Sequence, residues 1–170
     1  MAIDIVDAQF HFGPGGIDQT LAMMDALGIA AGVVEEFWIG KWIGYPGNPG
    51  YMLPSGAFRS SMPTLELAAT LHPTRFTGIL KVDRRDPEVA HLIRLGGQAP
   101  HVRAVRVITP GMETAEAAAY NAGQFAGICA AACDANLPLF VFAPDQMAAS
   151  ARYARDFPSL KLVIDHCGVL

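Results

Sequence analysis

Short apolar runs alternate with stretches of helical periodicity from one end of the chain to the other. "IDIVDAQFHF" (3–12) reads as a strand, and "IDQTLAMMDALG" (17–28) as a helix stopped by Gly28. "AAGVVEEFW" (30–38) is a second strand, followed by a Gly/Pro/aromatic loop over 39–61. "MPTLELAATLHP" (62–73) predicts a short helix, "FTGILKVD" (76–83) a third strand, and "DPEVAHLIRLGG" (86–97) a helix opening on Asp-Pro-Glu and closing on glycine. "VRAVRVITP" (102–110) is a fourth strand. A helical stretch over 113–136 follows, with a break near Gly123 or Gly127. "LPLFVFAPD" (137–145), "QMAASARYARDF" (146–157) and "LKLVIDHCG" (160–168) complete the series as strand, helix and strand.

The strands are nearly continuous apolar runs, as expected of a parallel sheet buried on both faces. Right-handed crossovers then give an open doubly wound sheet or a closed (β/α)8 barrel. "HFGPGGID" lacks the G-x-G-x-x-G spacing of a nucleotide-binding turn, and Pro14 removes a backbone donor. The polar residues instead gather at the C-terminal ends of the strands, where barrels keep their functional groups: Gln9 and His11, Glu35 and Glu36, Asp83, Arg106, Asp165 and His166. The expected fold is therefore a TIM-type barrel. A full barrel needs about 250 residues. The 170 residues form one domain (1–170) of about six βα units, an incomplete barrel that stops after its sixth strand. Two raw sheet edges and an exposed apolar face predict homo-oligomers or association through those edges.

Composition narrows the class. Hydrophobic residues make up 52% of the chain and charged residues 16%, with a net charge of −4 and no basic stripe, which excludes a nucleic-acid partner. The longest uncharged stretch, 117–133, is interrupted by polar residues and glycines and is short for a bilayer span. The N-terminus has no basic n-region, so no membrane partner and a cytoplasmic setting are expected. Three cysteines without a repeating spacing make no disulfide framework, and Cys129 and Cys133 read as small buried residues against a sheet.

Strand parity sorts the candidates. Asp7, Gln9 and His11 alternate and share one face. Arg103 and Arg106 face opposite ways, and Arg106, nearer the strand end, is assigned inward, where its fork can grip a substrate carboxylate. His166 is assigned inward and Asp165 to a hydrogen bond in the adjacent turn. One of Glu35 and Glu36 points inward and the other into solvent. Lys81 is an interior cation or snorkels outward. Asp83 caps the turn into "RRDPE". The loop aromatics Trp38, Trp42, Tyr45, Tyr51 and Phe58 either shape a pocket or pack on a neighbouring subunit.

The motifs "IVDAQFHFG", "LHPTRFTGILKVDRRDPE", "VRAVRVI" and "LKLVIDHCG", in this order, resemble the amidohydrolase superfamily. The similarity is to the amidohydrolase-related branch with 2-pyrone-4,6-dicarboxylate lactonase and L-fuconolactonase. Gln9 stands where metal-holding members of the family have a first histidine, and Phe142 or Ala143 where the fifth strand carries another. His11 and His166 are left as candidate ligands, so the resemblance implies no metal or one divalent ion, zinc or manganese. Two imidazoles and an amide are a poor zinc set. Metal-free members imply lactone hydrolysis. In that reading His166 polarises the carbonyl, His11 positions substrate or water, Gln9 and Arg106 bind substrate, and an eighth-strand aspartate is the base. The substrate is then a small molecule, a lactone or similar cyclic ester that can carry a carboxylate. The alternatives are a metal-dependent hydrolase or decarboxylase of the same superfamily, and a degenerate barrel or inactive fragment.

Overall fold

The computed structural model describes residues 4–13, 15–36, 50–109 and 114–169. Strands β1 (Ile5–Phe10), β2 (Ile29–Val34), β5 (Phe76–Lys81), β6 (Val102–Ile108), β7 (Leu139–Phe142) and β8 (Leu162–Ile164) form one sheet in that order. All neighbours are parallel. Helices α1 (Gly16–Leu27), α2 (Pro63–Leu71), α3 (Val89–Gln98), α4 (Ala115–Asn121), α5 (Ala126–Asp134) and α6 (Met147–Asp156) fill the crossovers. The sheet curls about an inner cluster of Ile79, Ala104 and Phe140 with Val33 and Val163, drawn from five successive strands. The result is a half-barrel, one of the two architectures the alternating pattern allows.

The helices cover the outer face. One cluster joins Phe12, Met24 and Val34 to Leu65, Ala68 and Phe76, sealing α1 and α2 against the sheet. A larger one packs α3 to α6 over β6 and β7. Tyr120 and Tyr153 anchor it, their rings 4.8 Å apart, with Tyr153 donating to the Tyr120 carbonyl. Cys129 is buried in this layer, and desolvation pushes its thiol up to about 12. That is the inert, packed cysteine its alanine-rich setting predicts. The helical stretch breaks at Gly123, whose φ of 85° is left-handed.

Three expectations are corrected. The 39–61 loop carries a short antiparallel hairpin, β3 (Gly50–Met52) with β4 (Phe58–Ser60); Trp38, Trp42 and Tyr45 lie outside the described residues. The hairpin is pinned over the end of β5 by Phe58 N–H donating to Asp83 and Ser60 Oγ donating to the Lys81 carbonyl. The second difference is at β8, which ends at Ile164. "DHCG" forms a 3-10 turn in which His166 (φ 49°) and Cys167 (φ 57°) are left-handed, so strand parity stops applying at Asp165. The third is at β1. Its pairing with β2 shifts register between Asp7 and Phe10, which breaks strict alternation. Among the described residues no helix is long and apolar enough to cross a membrane.

Candidate functional site

Arg106 organises the C-terminal end of the sheet. It alternates with Ala104 on the inner face, lies beside Lys81 in the β5–β6 register, and is 4% exposed. Its Nε donates to Asp165 Oδ2 at 2.7 Å, and Nη1 donates to Glu35 Oε2. With the Gln9 amide turned to match these donors, Gln9 Oε1 accepts from Nη1 at 2.9 Å and Nη2 at 3.0 Å. One guanidinium thus ties the ends of β1, β2 and β8 to β6. Glu35 and Asp165 are 1% and 5% exposed, so this is a buried ionic triad in which one guanidinium compensates two carboxylates.

The two histidines flank the triad. His11 Nδ1 lies 2.8 Å from the Glu35 carbonyl oxygen. A carbonyl can only accept, so Nδ1 carries a proton, and in the neutral ring Nε2 is then the acceptor. His166 is exposed, with its ring edge-on to Phe142 at 5.2 Å between centroids. The Arg106 guanidinium lies 6.0 Å from the same Phe142 ring. His11 hangs from Glu35 beside the α1 groove, and His166 follows Asp165 with its ring against Phe142.

Several assignments made by parity shift. Asp165 does not serve its own turn; from the start of the 3-10 turn it accepts from Arg106 across the interior. His166 therefore sits on the rim rather than in the interior. Asp7, Gln9 and His11 do not share one surface. Gln9 reaches Arg106, whereas Asp7 accepts from the Gln9 backbone N–H at 3.0 Å and lines a groove beside α1 together with His11. Arg106 has five N–H donors, and the bonds above occupy four of them. Its fork is committed to protein groups. Arg103 is exposed and donates to the Val102 carbonyl, the outward role parity gave it.

Glu35 and Lys81 are the functional candidates that sequence reasoning underweighted. Glu35 Oε1 is buried with no hydrogen-bond partner among the described residues. Lys81 shares the inner face with Ile79, and burial lowers its pKa, offset in part by Glu35. The available signal was parity: Lys81 is two residues beyond Ile79, as Arg106 is two beyond Ala104.

Glu36, expected to be solvated if Glu35 turns inward, is buried as well. Its carboxylate accepts from Thr64 N–H at 3.0 Å and Leu65 N–H at 3.0 Å, capping the N-terminus of α2. The helix dipole favours an anion there. Glu36→Ala is expected to cost about 1–2 kcal/mol, read from the urea midpoint. Asp83 caps the following turn as expected, accepting from Arg85 N–H.

The hairpin adds a pH-dependent clamp. Arg59 forks onto Asp86, Nε at 2.8 Å and Nη2 at 2.6 Å, and the guanidinium holds the Asp86 carboxyl below the usual carboxylate range. A depressed folded value means the contribution is fully present above the unfolded pKa, about 4. It is lost as the pH falls through the lower folded value. Asp86→Asn is therefore expected to flatten the loss of urea stability as the pH falls below about 5.

A divalent metal does not fit these residues. Among the described residues no three His, Cys, Asp or Glu side chains cluster to hold one. Gln9, at the first ligand position, has its oxygen on a guanidinium.

The model of the family described as Amidohydrolase matches residues 6–170. The chain belongs to the amidohydrolase family. No curated protein matches it. Among solved structures, this amidohydrolase is similar to 5-carboxyvanillate decarboxylase from Sphingomonas paucimobilis, at 13% identity and a TM-score of 0.65, over 98% of this chain and 68% of that one. It is also similar to dihydroorotase from Campylobacter jejuni, at 14% identity and a TM-score of 0.58, over 95% of this chain and 47% of that one. At such identity the likeness shows the fold, and the chain spans only part of each relative's length.

Proposed function

We propose that this amidohydrolase opens a lactone or similar cyclic ester by water attack at the strand-end mouth. The observation that carries the reading is the His11 tautomer, a ring whose Nδ1 proton is held by the Glu35 carbonyl and whose Nε2 accepts. Water attacks the carbonyl carbon while Nε2 takes its proton. The Nδ1 bond to the carbonyl steadies the imidazolium that forms. His166 donates to the carbonyl oxygen and stabilises the oxyanion. Collapse breaks the ring C–O bond, and His11 returns its proton to the leaving alkoxide, giving an open-chain hydroxy acid. The Arg106 triad does not meet substrate in this scheme. It fixes the strand ends that carry both rings. No step calls on a metal, in keeping with the donor set.

The test is a pH-stat assay of the full chain on γ-valerolactone and related lactones, with and without EDTA. Expected is hydrolysis that survives EDTA and requires both histidines. Absence of hydrolysis on every lactone, or turnover that EDTA abolishes, overturns the reading.

A further inference from the structure

We infer that the cavity between the β3–β4 hairpin and the ends of β5 and β6 is the subsite for a substrate carboxylate, and that Lys81 is the cation that receives it. The inference rests on the lactone reading and assigns the selectivity of that site. The cavity measures about 220 Å³ and is lined by Lys81, Arg84, Arg85, Asp83, Glu116 and Phe58 among others.

Its cations differ in what they can still offer. Arg84 forks onto Glu116 at 2.9 and 3.1 Å, and Arg85 forks onto Asp83 at 3.0 and 2.7 Å. Both guanidinium charges are already paired with rim carboxylates. Arg106, the neighbour in register, has two buried carboxylates against it, and a third anion there would be repelled. Lys81 is of another kind. An ammonium is a compact charge with three donors in a tetrahedral array, so a bond inside the protein leaves donors for a ligand. Lys81 lies two residues beyond Ile79 of the inner cluster, and the residue lines the cavity at the same end of the sheet as the triad. The hairpin closes the far wall, with Phe58 held by Asp83 and Ser60 holding the Lys81 carbonyl. A carboxylate in this cavity would meet the desolvated ammonium while the rest of the ring reached the mouth.

The probes are γ-butyrolactone-γ-carboxylate and γ-valerolactone, which place a carboxylate or a methyl on the same ring carbon. The wild-type protein is expected to prefer the carboxylated lactone, through a lower KM. Lys81→Met is expected to lower the ratio of kcat/KM values, carboxylated over neutral, by about tenfold or more, the worth of one charged hydrogen bond. Lys81→Arg should keep part of the preference. Equal KM values for the two lactones in the wild type, or a fall in both substrates alike in Lys81→Met, overturns the assignment. The wild-type comparison decides the matter if the methionine variant does not fold. Calorimetric titration with glutarate separates this inference from the hydrolytic reading. Binding that Lys81→Met abolishes, in a protein that hydrolyses neither lactone, keeps the subsite and removes the reaction. No glutarate binding to the wild type removes the subsite.

Discussion

Arg106→Leu is expected to lose about 3–5 kcal/mol of unfolding free energy, the cost of leaving a buried ionic partner uncompensated. The arginine is the only described side chain that bonds Glu35 and Asp165 across the interior, and both carboxylates are nearly inaccessible to water. Removing it strands two buried anions that cannot both ionise cheaply. It also frees the Gln9 amide and cuts the ends of β1, β2 and β8 loose from β6. Urea unfolding followed by circular dichroism measures the loss. A change below about 1 kcal/mol, the range of exposed ion pairs, would mean that water reaches the triad. Arg106→Lys keeps one charge but not the fork, so it should fall between wild type and leucine.

His11→Ala and His166→Ala are each expected to lower kcat/KM for lactone hydrolysis by about 10²–10⁴-fold, the range of a positioned proton-transfer group. His11→Ala removes the proton acceptor. His166→Ala removes the donor to the oxyanion, so its effect falls mainly on kcat. Neither is expected to unfold the protein, because both rings lie on the exposed rim. Unfolding midpoints measured beside the kinetics separate loss of chemistry from loss of structure. A kcat/KM within threefold of wild type in either variant would remove that ring from the reaction.

The order of strands and helices was legible because a parallel sheet needs apolar runs and its crossovers need amphipathic helices. Gly28, Gly123 and Pro63 marked boundaries by local chemistry. The inward turn of Arg106 was legible too, since parity sets it opposite Arg103 and it lies nearer the strand end. What parity could not give was the partner. Arg106 is 71 residues from Glu35 and 59 from Asp165, and only the register of six strands brings them together. The His166 placement failed for a different reason. β8 ends at Ile164 and the backbone turns left-handed at 166, so the alternation used to aim the side chain no longer holds there. Glu36 escaped notice because its role depends on α2 folding back over the end of β2. The 3.0 Å bonds to Thr64 and Leu65 span nearly thirty residues.

A double-mutant cycle on His11 and His166 bears most directly on whether the two rims of this half-barrel act on one reacting centre. If both rings serve the same transition state, His11→Ala in the His166→Ala background should lose much less than in wild type, as expected of residues that act as a unit. Losses in kcat/KM that simply add, with each alanine costing the same in either background, would contradict a shared centre.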